Sequence, residues 1–358
     1  MIEDILAYTS ENKNKLVTKI NKLKEEIDPI KVTSPWISYE PREKTSKEVG
    51  ASDGSYNFIE YKGFVLYILA AKAFTHRNGE IFEEKAVDID ILHPYRYTTN
   101  RIQFYMSMLE KKVSLQLLKK NNIDLFLLDG SILGDLIRPA AFERAPKKAD
   151  KQKVEEQYLA KISQSLQKNE FSRIISKDFI DEIYDKRGVK SIDMIIYLEY
   201  LENLLTLKHL LEYENIVVGI SKRSQSTTYF PKSHTPDIAL FEECCRSAGF
   251  SEPKAVKLDY LQNYKRRFPI LDQEIREIPI SLFYARFTHK SPVLKFEYVG
   301  EPSEKRAKEI LDSLAMGIVE GYPYLLRKAH REVVITRKNI EQTARVLGIY
   351  EKTGREML

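Results

Sequence analysis

The run Leu125-Phe126-Leu127-Leu128 is apolar at every position and closes on Asp129-Gly130-Ser131. Four consecutive apolar residues bounded by a turn signal read as a buried strand, so the carboxylate of Asp129 is expected where that strand leaves the core. At 358 residues and 43% hydrophobic, the chain is long enough to bury a sizeable core around it. The same tripeptide occurs earlier, as Asp53-Gly54-Ser55. Taken singly, Asp-Gly is a turn dipeptide, because glycine accepts positive φ and aspartate bonds nearby backbone. Its recurrence beside two apolar runs raises the alternative that both acids do chemistry.

The surrounding pattern supplies a frame for them. The first thirty residues carry apolar positions at helical spacing (Ile5, Leu6, Leu16, Ile20, Leu23, Ile27) and read as an N-terminal helical arm that stops at Asp28-Pro29. Three strand-like runs follow, from Asp53 to Glu60, Phe64 to Phe74 and Ile81 to Leu92, the first two joined by the short connection Tyr61-Lys62-Gly63. Between Thr99 and Lys120 the period becomes helical, with Ile102, Met106, Leu109, Val113 and Leu117 on one stripe. Glu110, the sole acid of that helix, falls about 80° from Ile102, on the flank of the stripe. Residues 150–214, rich in Lys, Glu, Leu and Ile, read as helices inserted between core strands and carry no recognisable chemistry. A strand from Ile216 to Ser221, a hairpin from Ser281 to Val299, a helix from Ser303 to Glu320 and another beginning at Pro323 complete the pattern. The expected fold is thus α/β, a mixed sheet flanked by helices.

Composition narrows the classes. No apolar stretch approaches the roughly 18 residues of a membrane span, and the opening residues lack the basic-then-apolar order of a signal peptide, so a cytoplasmic protein without a membrane partner is expected. Cys244 and Cys245, the only cysteines, are adjacent, which leaves no metal-binding Cys spacing. The net charge of +5 permits a polyanionic partner. Basic residues cluster at Arg144-Ala145-Pro146-Lys147-Lys148, at Lys222-Arg223 and at Lys265-Arg266-Arg267, the last flanked by Tyr264 and Phe268. Lys and Arg neutralise phosphates and aromatics stack on unpaired bases, so these are candidate nucleic-acid contacts; the plain alternative is a solvated face.

An acid on an early strand, one on the following helix and one ending the next strand are the arrangement expected for a two-metal phosphodiester site, where carboxylates converge on ions about 4 Å apart. Oxygen donors favour magnesium or manganese over zinc. The glycines leave the approach to the carboxylates open, and Ser55 and Ser131 are free to hydrogen-bond the acids.

This layout resembles the RNase H-like nuclease fold, and its motifs resemble the NurA family of 5′-to-3′ DNA nucleases. They are Ser52-Asp53-Gly54-Ser55, Leu128-Asp129-Gly130-Ser131, Ile220-Ser221-Lys222 and the stretch from Tyr322 to His330. The resemblance implies a nuclease domain over residues 49–335 with a helical insertion at about 147–214, an N-terminal arm over 1–48 and a C-terminal helix over 336–358 packed on the same domain. It implies that Asp53, Glu110, Asp129 and His330 are metal ligands for Mn2+ or Mg2+, and that Tyr322 completes the catalytic set. His330 has the alternative of a surface imidazole, Tyr322 of a helix staple, and Lys222 of a strand end rather than a phosphate contact. The family further implies a homodimer that resects DNA ends in double-strand break repair beside a HerA-type hexameric ATPase. This chain has no GxxxxGK[ST] loop, so a motor would be a separate chain. A non-catalytic DNA-binding adaptor and an RNA-cutting enzyme on the same fold are the competing readings.

Overall fold

The structure is a computed structural model that describes residues 1–25, 28–42, 47–77, 79–92, 96–138, 140–142, 144–187, 191–256, 275 and 277–350. The cluster Lys265-Arg266-Arg267 and residues 351–358 lie outside the described residues.

A ten-stranded mixed sheet organises the chain. Its strands are β1 (Trp36–Ser38), β2 (Val49–Glu60), β3 (Val65–Arg77), β4 (Glu80–Leu92), β5 (Leu125–Asp129), β6 (Val217–Ser221), β7 (Gly249–Ser251), β8 (Lys254–Val256), β9 (Ile280–Arg286) and β10 (Leu294–Val299). They lie in the order β1-β7-β9-β10-β6-β5-β2-β3-β4, with β8 paired to β9. The apolar run of β5 is central, as its composition requires, and pairs in parallel with both β2 and β6. The three early strands form an antiparallel meander in which β3 pairs with β2 and β4.

Helices cover both faces. Strand alternation sends Phe126, Leu128 and Val217 to one core, against α3 (Thr98–Lys120), the inserted helices α5 (Lys148–Gln167), α6 (Ile180–Arg187) and α7 (Ile192–Leu211), and α8 (Asp237–Cys244). It sends Ala51, Leu125, Leu127, Val218 and Ile220 to a second core under α9 (Glu304–Leu314) and Leu326 of α10 (Tyr324–Val333). The apolar stripe of α3 is buried as its period predicts, yet its polar flank is buried too. Arg101 meets Glu199 and Lys112 meets Glu202, all four without solvent exposure, while Lys111 meets Asp135 of α4 (Ile132–Ile137) at 2.7 Å. The insertion is therefore the backing layer of α3.

Several boundaries differ from expectation. The first helix stops before Asp28-Pro29, as expected, but Asp28 also caps a new short helix, α2 (Pro29–Thr33), by accepting from the backbone of Ile30 and Lys31. The arm helix α1 (Ile2–Glu25) is exposed over residues 2–21 apart from half-buried Asn12, including Ile5, Leu6 and Ile20. Helix α9 stops at Leu314 instead of Glu320, because a two-stranded bridge, Ile318–Val319 with Tyr322–Pro323, turns the chain through Gly321 at φ +75°. Pro323 thus precedes α10 rather than opening it, and Tyr322 lies on the bridge, not one helical face away from His330. The last helix, α11 (Arg337–Val346), starts at a capping box between Thr336 and Asn339. Among the described residues, no helix is long and apolar enough to cross a membrane.

Candidate active site

Asp53-Gly54-Ser55 is not a turn, and Asp53 is not at the mouth of its strand: all three residues lie inside β2. The site forms there because the parallel pairing of β2 with β5 runs from Val49 to Ser52 and ends. Ser52 pairs with Leu128, so the next residues, Asp53 and Asp129, stand side by side where β5 leaves the sheet. Both share the parity of Ala51 and Leu127 and face the second core.

On that face each aspartate meets two donors. Asp53, nearly buried, accepts from the backbone N–H of Gly54 at 2.8 Å and lies 2.8 Å from His330 Nδ1. His330 is 64% exposed, so its other ring nitrogen opens to solvent. Asp129 accepts from the Tyr322 hydroxyl at 3.2 Å and from Lys222 Nζ at 3.2 Å. The Lys222 ammonium also sits 4.2 Å from the Tyr322 ring centre, a cation–π contact that ties the two donors together. Arg223 follows, exposed. Burial and the charge of Asp129 keep the Tyr322 hydroxyl protonated well above its ordinary range, so it acts as a donor. Burial also raises the Asp53 carboxyl, against the lowering by His330 and Gly54.

Glu110 comes from the opposite face. Ser52, one residue out of phase with Asp53, donates to it at 3.1 Å. Gly54 has no side chain for a reason other than an open approach to ions: a Cβ there would stand 3.0 Å from Met106 Cγ and 3.4 Å from Glu110 Cβ, so glycine lets α3 close on the strand. Gly130 faces open space, and the tight contact is instead at Gly219, whose Cβ would press on the Gly130 carbonyl oxygen at 2.9 Å. Ser131 serves neither aspartate. It caps α4 by accepting from Gly134 N–H and donates to Glu297, while Ser55 accepts from Ile335 N–H.

The sequence expects four ligands already drawn together. Among the described residues, no three His, Cys, Asp or Glu side chains are gathered at ion-holding spacing. The reason is the face inversion between Asp53 and Glu110, together with the engagement of Asp129 by Lys222. The donor set nevertheless fits a hard divalent cation. Burial first, then the charge of Asp53, pushes the Glu110 carboxyl up to about 8, and a bound cation would relieve that repulsion. A cation held by Glu110 would displace its proton, so Mn2+ affinity is expected to rise with pH up to about pH 8 and then level. Without metal the sign for folding is opposite: a carboxyl raised in the folded state stabilises it at low pH and loses that contribution as pH rises through its folded value. Calorimetric Mn2+ titrations and melts in chelator should both lose this pH dependence in Glu110→Gln.

Two residues that hold the site together escaped the sequence reading. Lys72 pairs across the sheet with Asp53 and makes 2.6 Å ion pairs to Glu83 and to Glu332 of α10, while Lys328 lies 4.9 Å from the Phe74 ring centre. These contacts seat α10, and with it His330, over β2. The available signal was that Lys72 is the only charge in the run Phe64–Phe74.

A NurA domain model matches residues 47–335. The chain belongs to the NurA family. It is 30% identical to the probable DNA double-strand break repair nuclease NurA of Methanocaldococcus jannaschii, over 99% of this chain and 92% of that protein. It is 27% identical to the DNA double-strand break repair nuclease NurA of Saccharolobus solfataricus, over 95% and 92% of the two chains. Its fold matches the crystal structure of the NurA nuclease from Sulfolobus solfataricus with a TM-score of 0.72 at 24% identity, covering 97% of each chain. It also matches a crystal structure of NurA with manganese, TM-score 0.73 at 17% identity, over 96% and 99% of the chains. Like its NurA relatives, the chain is a nuclease, and the α/β fold expected from its sequence, a mixed sheet flanked by helices, is the fold observed.

Proposed function

We propose that this NurA chain is a divalent-metal-dependent deoxyribonuclease that resects broken DNA ends in the 5′-to-3′ direction, acting as a homodimer in the cytoplasm beside a HerA-type ATPase. The observation that carries the reading is the juxtaposition of Asp53 and Asp129 at the point where β5 leaves the sheet, each carboxylate already dressed by a polar partner from the C-terminal stretch. The repair role named for the relatives, and the manganese held by a NurA of the same fold, support carrying both to this chain.

Asp53, Asp129 and Glu110 would hold the cation, with His330 as a nitrogen donor beside them. When bound, the metal supplies the Lewis acidity for phosphodiester hydrolysis. The chain's own groups do the rest. Lys222, half-exposed beside Asp129, receives the charge of an entering phosphate, and Arg223 extends that positive surface. Tyr322 holds Asp129 and the lysine in register through its hydroxyl and its ring. Asp53 orients the imidazole of His330 through Nδ1, leaving Nε2 as its nitrogen donor at the exposed side.

End-labelled single-stranded DNA, duplex DNA and RNA, each incubated with pure protein and manganese, magnesium or chelator, test this reading. Metal-dependent cutting of DNA with sparing of RNA is expected; cutting of RNA would make it a ribonuclease, and binding without cutting an adaptor. Manganese is expected to serve at least as well as magnesium, because an imidazole donor suits manganese better. His330→Ala should narrow that preference, and an unchanged metal ratio would remove His330 from the ligand set.

The motor partner rests on a separate argument. Opening duplex DNA costs roughly 1 to 2 kcal/mol per base-pair step in stacking, and nothing in a hydrolytic site supplies it. Weak cleavage of blunt duplex, stimulated by ATP and a HerA-type ATPase, is therefore expected. The exposed apolar positions of α1 make that helix the first surface to test. Deleting residues 1–25 should reduce ATP-dependent stimulation and spare cleavage of single-stranded DNA. Loss of both together would place the helix in the fold or the dimer instead.

A further inference from the structure

Glu297 of β10 is 1% exposed and Lys295, two residues before it, 4%, and the two form an ion pair inside the sheet. A buried pair of this kind adds little net stability, because the desolvation of both ions offsets their attraction. The carboxylate also reaches the segment that follows Asp129. Glu297 lies in register with Gly219 of β6, and Gly219 with Leu128 of β5, so the three form a row across the sheet on the face away from Asp53 and Asp129. The middle position is the one without a side chain. A Cβ at Gly219 would stand 2.9 Å from the Gly130 carbonyl oxygen and 3.0 Å from Ile132 Cγ1, so glycine lets the chain beyond β5 settle over β6 and meet the glutamate. There Ser131 Oγ donates to Glu297 at 2.9 Å and the Leu133 N–H at 3.1 Å.

We infer that Glu297 is a positioning residue of the nuclease: by holding the first turn of α4 it fixes where Asp129 stands relative to Glu110, and with that how tightly the two take up a divalent cation. The inference rests on the ligand roles proposed for these two acids. Helix α4 is the link between them. Its start is fastened to β10 through Ser131 and Leu133, and Asp135, one turn on, makes a 2.7 Å ion pair with Lys111, the residue after Glu110 on α3. Glu110 and Asp129 line one small cavity whose remaining wall includes Ile132 and Asp135 of α4. A shift of α4 therefore changes the gap that a cation must bridge, and carboxylates hold a hard ion well only at a separation that suits it. Reach is what position 297 requires, and an aspartate there is one methylene shorter.

Glu297→Asp keeps a carboxylate for Lys295 but withdraws it from Ser131 and Leu133. Calorimetric Mn2+ titration of the full chain without DNA should show affinity about tenfold weaker, with turnover on single-stranded DNA lowered about tenfold or more, as is usual when a group behind a metal ligand is removed. Gel-shift affinity for DNA in EDTA should stay at the wild-type value, because Lys222 and Arg223 are untouched. Lys295→Met/Glu297→Gln keeps the reach and removes both charges, and it should bind Mn2+ close to the wild type. Where melts show that Glu297→Asp does not fold, Ser131→Ala carries the test, since it leaves the ion pair whole and should weaken Mn2+ binding in the same sense. Unchanged Mn2+ binding in Glu297→Asp, or in Ser131→Ala where the former does not fold, overturns the inference alone, provided that Asp129→Ala loses Mn2+. A double variant as weak as Glu297→Asp would make charge rather than reach the requirement and overturns it too. Unchanged Mn2+ binding in Asp129→Ala overturns the ligand role of that aspartate, and the inference with it.

Discussion

Replacing Asp53 or Asp129 by Ala is expected to abolish cleavage, lowering turnover by about a thousand-fold or more. Each carboxylate is held by two donors, and neither contributes apolar volume to a core, so the fold should survive the loss. The two variants should differ in their side effects. Asp129→Ala takes the carboxylate away from Lys222 and leaves the ammonium on the Tyr322 ring, able to bind phosphate more strongly. Asp53→Ala frees His330, whose imidazole is already largely exposed. Both remove a negative charge from a place that must receive phosphates, so DNA binding in chelator should tighten. Gel-shift titrations in EDTA and single-turnover cleavage with Mn2+ measure the two effects on one preparation. Near-normal turnover by either pure variant would remove that aspartate from the reaction.

How much of this was legible beforehand divides along physical lines. Elements whose period is set by one neighbour were readable: the hairpin around Tyr61-Lys62-Gly63, the stripe of α3 and the apolar run of β5 each declare themselves locally. The pairing of Asp53 with Asp129 was expected from two matching tripeptides, although only Asp129 stands at a strand end. β2 continues for seven residues beyond Asp53, and only β5 ends. Strand parity then set Glu110 on the far side, a consequence of a register that no local signal carries. The insertion read as helices without recognisable chemistry, and nothing in its sequence marks its acids as buried. Glu199 and Glu202 are in fact fully buried, since their partners Arg101 and Lys112 sit some ninety residues earlier on the flank of α3. Such pairs become visible only when the two helices are packed together.

That seam carries the second large effect. Glu199→Leu is expected to destabilise the fold by about 3 to 5 kcal/mol, because it leaves the guanidinium of Arg101 inside the protein without its carboxylate. Arg101 Nε lies 2.9 Å from Glu199 Oε2, a terminal nitrogen lies 2.6 Å from Oε1, and the Tyr105 hydroxyl donates to the same carboxylate. Both side chains are completely buried, so water cannot replace the lost partner. The double variant Arg101→Met/Glu199→Leu should recover most of the loss, since two apolar residues of similar size need no counter-charge and the desolvation cost of both ions disappears. Denaturant melts of the wild type, both single variants and the double variant close the cycle. Additive losses would mean that the two residues act independently. The consequence for cleavage follows from position, because α3 brings Glu110 to the site and α7 is the layer behind it. Near its melting temperature Glu199→Leu should therefore lose activity in step with folded fraction, and at low temperature, where it remains folded, its turnover with Mn2+ should approach that of the wild type.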